Sequence, residues 1–228
     1  MELNKVLIIG LMGVVFLISC NKESDFRQEI IKAIEEKNKG NLSKSLRTCN
    51  NIIQKDSTQS FAYLIRGQVK ALMDSNMSAI DDYNRAIRID SNNVAAHFYL
   101  GNSYANLNSY SQAVDSYSKA MNLKSKDGFI TDYYYNEFDA IESQVDIPQA
   151  EIEFYRGISL LFLDRLDEAE NSFLFTLVSN YELSWSEYYL GVVYINKGDP
   201  VLGCNYLKKS LKNGIKDSES LLEEYCIN

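Results

Sequence analysis

The 228-residue sequence has a single histidine, His97, and that shortage removes whole classes of chemistry. Without a second histidine there is no His-based zinc site and no Glu-x-x-His pair. Glycine never clusters into a phosphate-cradling loop, and no Gly-x-Ser-x-Gly elbow occurs. Lysine and arginine form no stripe, and their 23 residues are outnumbered by 31 acidic ones, giving a net charge of −8. A phosphate-neutralising surface needs the opposite balance, so nucleic acid is not an expected partner. The acidic pairs Asp81-Asp82 and Glu223-Glu224 read as solvated helical faces. Asp90-Ser91-Asn92-Asn93 lacks the glycine and distal glutamate of a calcium loop and reads as a turn. With no catalytic, metal or cofactor constellation, the chain reads as a non-enzyme for which no small-molecule substrate is expected. Its 46% hydrophobic content still argues for a folded core.

Long apolar runs are also scarce. The one that stands out, Val6 to Ser19 behind Lys5, is shorter than the ~20 residues a membrane-spanning helix needs. It reads as a secretory signal over residues 1–19. Its end, Leu17-Ile18-Ser19-Cys20, resembles the bacterial lipobox, which implies that the Cys20 thiol carries diacylglycerol. The alternative is an ordinary signal peptide with an incidental cysteine. Asn21 stands where many lipoproteins kept at the inner membrane have aspartate, so the resemblance implies an outer-membrane lipoprotein facing the periplasm of a Gram-negative-type envelope. Residues 20–25 read as a polar tether or, alternatively, as a surface-export signal.

The remainder is periodic. A small residue recurs at Ala33, Gly67, Gly101, Gly157 and Gly191, with steps of 34, 34, 56 and 34. The same steps connect Ser45, Ala79, Ala113, Ala169 and Gly203; then the larger Cys49, Tyr83, Tyr117, Phe173 and Leu207; then Ile52, Ala86, Ala120, Thr176 and Ser210. Small residues let antiparallel helices approach while larger partners fill the space beside them. Gly40-Asn41 marks a turn, Asp199 and Pro200 read as a cap and a first-turn proline, and Asp146-Ile147-Pro148 reads as a helix lead-in.

A 34-residue period carrying W-x2-L-G-x2-Y and then A-x3-F resembles the tetratricopeptide repeat. The match is fullest at His97, Leu100, Gly101, Tyr104, Ala113, Tyr117 and Ala120, with His97 in a core column. Repeat two keeps Tyr63, Gly67, Ala79, Tyr83 and Ala86 but has Arg66 and Lys70 in the Leu and Tyr places, as repeat one has Lys32 and Glu36. The resemblance covers about residues 26 to 217. It implies an all-α, right-handed superhelical array of about five helix-turn-helix repeats: repeats one to three over 26–123, a Tyr-rich insert over 124–149, repeats four and five over 150–217, and a capping helix over 218–228. Within the insert, Lys124 to Gly128 reads as a loop and Asp132 to Ser143 as an extra helix. That helix presents Tyr133, Tyr134, Tyr135 and Phe138, which either form a second partner site or pack on the array.

The family's inner surface implies a partner groove of Phe61, Leu64 and Gln68; Ala95, Phe98 and Asn102; Glu151, Phe154 and Ile158; and Trp185, Tyr188 and Val192. Only Asn102 matches the carboxylate-clamping set of some members, so a hydrophobic helix or extended segment is the expected ligand. Alternatively the insert covers this face. For the cysteines, antiparallel helices meeting near Ile215 bring Cys204 opposite Cys226 for a disulfide, whereas Cys49 in a core column reads as a buried thiol. The functional expectation is a membrane-anchored, non-catalytic scaffold binding a protein or peptide in the cell envelope. The alternatives are an assembly factor for outer-membrane barrels or a pilus secretin, and an accessory to a cell-wall enzyme or such an enzyme itself. Cys20→Ala should release the chain from the membrane fraction or leave it unprocessed. A variant that stays membrane-bound at the mature size would show that Cys20 is not the anchor.

Overall fold

The computed structural model describes residues 26–127 and 146–226. Cys20, the signal segment, the tether and the insert residues Tyr133, Tyr134, Tyr135 and Phe138 lie outside that range. Every regular element among the described residues is helical. The described residues divide into two compact units, one ending at Asp90 and the other beginning at Ser91.

The first unit contains α1 (26–38), α2 (Leu42–Lys55), α3 (Ser60–Leu72) and α4 (Asn76–Ile89). α3 packs on both α2 and α4. The hydroxyl of Ser45 donates to the Ala33 carbonyl at 2.7 Å, holding α2 against α1. In the next pair a Cβ added to Gly67 would lie 2.5 Å from the Tyr83 ring, so the glycine is small because the ring is there. Arg66 and Lys70, the off-pattern residues of repeat two, both pair with Asp82, at 2.6 and 2.7 Å. Asp82 is therefore buried at 3% exposure, where the acidic pair had suggested a solvated face. Replacing two apolar positions by cations required an acid opposite them. Glu36, likewise in a family apolar position, is buried and pairs with Lys44 and Asn41. Cys49 is a free, buried thiol whose pKa is pushed up to about 12 by desolvation.

The second unit contains α5 (Val94–Asn106), α6 (Tyr110–Asp127), α7 (Gln149–Phe162), α8 (Leu166–Val178), α9 (Leu183–Asn196), α10 (Pro200–Lys212) and α11 (Ser218–Tyr225). Consecutive helices pack on one another, including α6 on α7 across the insert. Gly101 with Tyr117, Gly157 with Phe173 and Gly191 with Leu207 repeat the close approach of Gly67 with Tyr83. α6 continues through the segment expected to be a loop from Lys124. No Gly or Pro interrupts the chain until Gly128, and Lys124 reaches Asp146. His97 is buried, its Nε2 3.3 Å from the Ser91 carbonyl. Asp199 caps α10 through the Leu202 amide ahead of Pro200 at the first turn. Cys204 and Cys226 form a disulfide with Cα atoms 5.8 Å apart, joining α10 to the end of α11.

One further column is set by backbone geometry. Gly40, Asp74, Asn108, Asp164 and Gly198 all have positive φ, between 57° and 81°, and stand 34, 34, 56 and 34 residues apart. Each ends the first helix of a pair in a Schellman turn, in which the next residue's amide returns to a carbonyl five residues back; Ser109 to Tyr104, at 2.9 Å, is one instance. Gly, Asn and Asp are the residues that tolerate this left-handed geometry. Each glycine of the packing column must stay bare under its partner side chain, so Gly101→Ala, whose Cβ would sit 2.6 Å from Tyr117, should lower stability by about 1–3 kcal/mol. Denaturant unfolding would measure it, and an unchanged midpoint would mean that the ring yields freely.

Candidate functional site

Within each unit, several residues of the expected groove are buried. In the first unit Leu64 is fully buried, and Gln68 is 5% exposed and accepts a 2.5 Å hydrogen bond from the Lys37 ammonium. Of that trio only Phe61 is half-buried. In the second unit Ala95 is buried and Phe98 is 1% exposed, its ring 5.8 Å from Tyr117 and 5.7 Å from Tyr155. Phe98 is thus a core residue and not an exposed anchor. Asn102 accepts the Tyr117 hydroxyl at 2.7 Å, which engages the one residue resembling the carboxylate clamp. Spacing along a helix places a residue on the inner face without showing how thickly the neighbouring helices cover it.

What remains open is a cleft of about 330 Å³ in the second unit, lined by Phe154, Tyr155 and Ile158 of α7, Tyr181 and Glu182 of the α8–α9 turn, and Trp185 and Tyr189 of α9. Helical spacing explains the two walls. Residues 151, 154, 155 and 158 share a face of α7, as do 182, 185 and 189 at the start of α9. The expected residues Phe154, Ile158 and Trp185 come together here, with Tyr188 beside Trp185 at 5.6 Å. Glu151 lies on the same α7 face one turn before Tyr155, beside the lining residues, and Val192 is half-buried and does not line the cleft. The expectation missed Tyr155, Tyr181, Glu182 and Tyr189. Tyr189 was legible as the i+4 neighbour of Trp185, but the turn residues belong to no repeat column.

The aromatic walls are braced ring against ring. Phe154 makes edge contacts with Tyr155, Tyr181 and Tyr189 at 5.6 to 5.8 Å, and Tyr189 stacks on Phe173 at 5.1 Å. Such pairs contribute about 0.5–1.5 kcal/mol each beyond their buried area. The turn is fixed from behind, where the hydroxyls of Thr176 and Ser186 meet at 2.7 Å and Ser186 donates to the Tyr181 carbonyl. Asn180 and Glu182 both have positive φ, 60° and 45°. Glu182 begins α9 without a side-chain cap, and a left-handed non-glycine residue held this way costs of order 1 kcal/mol or more.

Acid gathers at this cleft. Burial, and then the charge of Glu182, hold the Glu151 carboxyl above its ordinary range. Burial raises Tyr155 and Tyr181 as well, with Glu151 and Glu182 adding to it. Among the described residues neither carboxylate forms an ion pair. Because folding raises the Glu151 pKa, the folded state binds the proton more tightly, and stability falls as pH rises from the unfolded value of 4.5 through the folded one. Glu151→Gln should therefore melt at a higher temperature than the parent at pH 8 and at the same temperature near pH 3.5. A constant difference at both pH values would point to packing and not charge.

Family models match two stretches: the TPR repeat over residues 75–108 and the tetratricopeptide repeat over residues 94–127. No curated protein matches the chain. Among solved structures, PilF of Pseudomonas aeruginosa superposes with a TM-score of 0.68 at 15% identity, covering 89% of this chain and 82% of that one. YrrB, described as a TPR protein with an unusual peptide-binding site, gives 0.67 at 20% identity, covering 86% and 90%. MamA of Desulfovibrio magneticus gives 0.66 at 11% identity, covering 82% and 93%. At these identities the likeness is one of fold. The chain carries tetratricopeptide repeats and folds as an all-α solenoid of the kind they build.

Proposed function

We propose that this protein is a membrane-anchored tetratricopeptide lipoprotein, acting as a non-catalytic scaffold that holds a partner polypeptide at the bacterial cell envelope. The observation that carries the binding role is the aromatic cleft. Trp185, Tyr188 and Tyr189 are only partly buried and gather with Tyr155 and Tyr181 at one concave site, whereas Phe98, Tyr117 and Phe173 of the same unit are sealed into the core. Aromatic surface of this kind, concave and braced from behind, is the usual seat of binding energy in an interface. Its volume of about 330 Å³ suits a side chain of a bound segment, in keeping with a peptide or protein ligand. The lipobox ending at Cys20 supports the anchor: a doubly or triply acylated cysteine holds a protein stably on a bilayer where one chain does not. By the reasoning applied to Asn21, the anchor sits in the outer membrane and the repeats face the periplasm.

A photo-crosslinking residue placed at Tyr188, beside the cleft, should capture a defined partner in intact cells. The same residue at Val201, 75% exposed on α10, should not. Trp185→Ala should reduce the Tyr188 crosslink at least tenfold. Equal capture from both positions would move the docking surface elsewhere.

A further inference from the structure

Resting on the reading of the cleft as a peptide seat, we propose that its occupant is an arginine side chain of the bound segment, gripped between aromatic walls and the carboxylates of Glu151 and Glu182. The first argument is one of unmatched charge. Elsewhere on helices α7 to α9 the acids are answered: Glu153 by Arg156 at 2.8 Å, Glu168 by Arg165 at 2.7 Å, Asp167 and Glu170 by Lys197 at 2.6 Å each, and Glu187 by the side-chain amide of Asn213 at 2.8 Å. Glu151 and Glu182 alone among the acids beside the cleft have no described cation, and each adds its field to Tyr155 and Tyr181. Of the insert, residues 128–145 contain no Lys or Arg and four acids, and Lys124 is paired with Asp146. On a chain of net charge −8, a matching cation comes most readily from a partner.

The second argument is the chemistry of the walls. Trp185 and Tyr189, tilted by 32° with ring centroids 6.2 Å apart, line one side of the cleft, and Phe154 and Tyr155 line the other. A cation over an aromatic face gains from the ring quadrupole, most strongly over tryptophan. Arginine fits this pairing better than lysine. Its planar guanidinium stacks on rings, sheds water more readily and presents a fork of donors to carboxylates. The cleft of about 330 Å³ admits such a side chain but lies at the small end of ligand pockets. The left-handed turn at Glu182 has a reason in this arrangement, since it starts α9 where Trp185 and the carboxylate border the same space.

Trp185 is the only tryptophan in the chain, so its fluorescence reports the cleft directly. The full-length chain in mild detergent would be titrated with the peptide acetyl-Gly-Leu-Arg-Leu-Gly-amide and with the same peptide carrying citrulline, the uncharged isostere of arginine. The arginine peptide should shift Trp185 emission saturably and bind at least tenfold more tightly. Glu151→Gln and Glu182→Gln should each reduce that preference at least threefold, and the double variant should abolish it, while affinity for the citrulline peptide stays unchanged. Helical circular dichroism would confirm that each variant is folded. Equal binding of the two peptides, or no response to either, overturns the inference. Tetramethylammonium saturating the signal below the arginine peptide's concentration would also overturn it, in favour of a quaternary ammonium ligand. The scaffold reading is judged separately by the Tyr188 crosslink, so a captured partner that makes no arginine contact at the cleft would sink this inference and leave that reading standing.

Discussion

The close approach of the two helices in each pair, in four of them a ring or branched chain of the second helix set over a glycine of the first, is the constraint on which the rest of this molecule depends. Tyr83, Tyr117, Phe173 and Leu207 each occupy space that a Cβ on the facing glycine would invade. At that separation the helices interlock tightly, and the turn joining them must be short and sharply reversed. The left-handed residue that ends every first helix supplies the reversal. The constraint also explains what the repeats tolerate. Repeat two accepts Arg66 and Lys70 in apolar places because Gly67 and Tyr83 still meet and Asp82 satisfies both cations.

Much of this is legible in the order of residues alone, because packing distance is written into residue size and residue size repeats at a fixed step. Every glycine and the larger side chain that covers it stand out as two columns in one register. The left-handed column is present in the same register, at Gly40, Asp74, Asn108, Asp164 and Gly198, but its residues share a backbone tolerance and not a size, so it does not announce itself. Burial is less legible. Phe98 and Trp185 stand on equivalent helical faces, yet Phe98 is sealed by Tyr99, Tyr117 and Tyr155 while Trp185 is left partly open. The difference lies in side chains from other helices, which periodicity within one helix does not record. Asp82 misleads for the same reason, since its partners lie 16 and 12 residues away on another helix.

The cleft arises where the array departs from its own rule. After α2 and α4 the chain leaves the helix through an extended residue, Asp56 at φ −153° and Asp90 at φ −133°. After α8 it leaves through Ser179 and then the left-handed Asn180, reaching α9 by way of the left-handed Glu182. This tighter exit sets Tyr181 and Glu182 beside the α7 face. A repeat array can thus acquire a distinct aromatic cleft by altering one connection, with the packing columns of the flanking helices intact: Gly157 still meets Phe173, and Gly191 still meets Leu207.

The bridge between Cys204 and Cys226 bears on how such an array comes apart. In a stack whose members hold only their neighbours, unravelling starts at an end, where a helix has a partner on one side alone. Among the described residues α11 packs chiefly on α10, is only eight residues long and has both leucines half-exposed. By itself it would detach readily and uncover α10, then α9 and the wall that Trp185 and Tyr189 build. With the bridge in place, α11 cannot diffuse away once its contacts break, and it recloses faster than the next helix can peel. The C-terminal end of the stack is thereby converted from a fraying edge into a latch, and a reducing agent becomes a way to loosen the cleft without touching any residue that lines it.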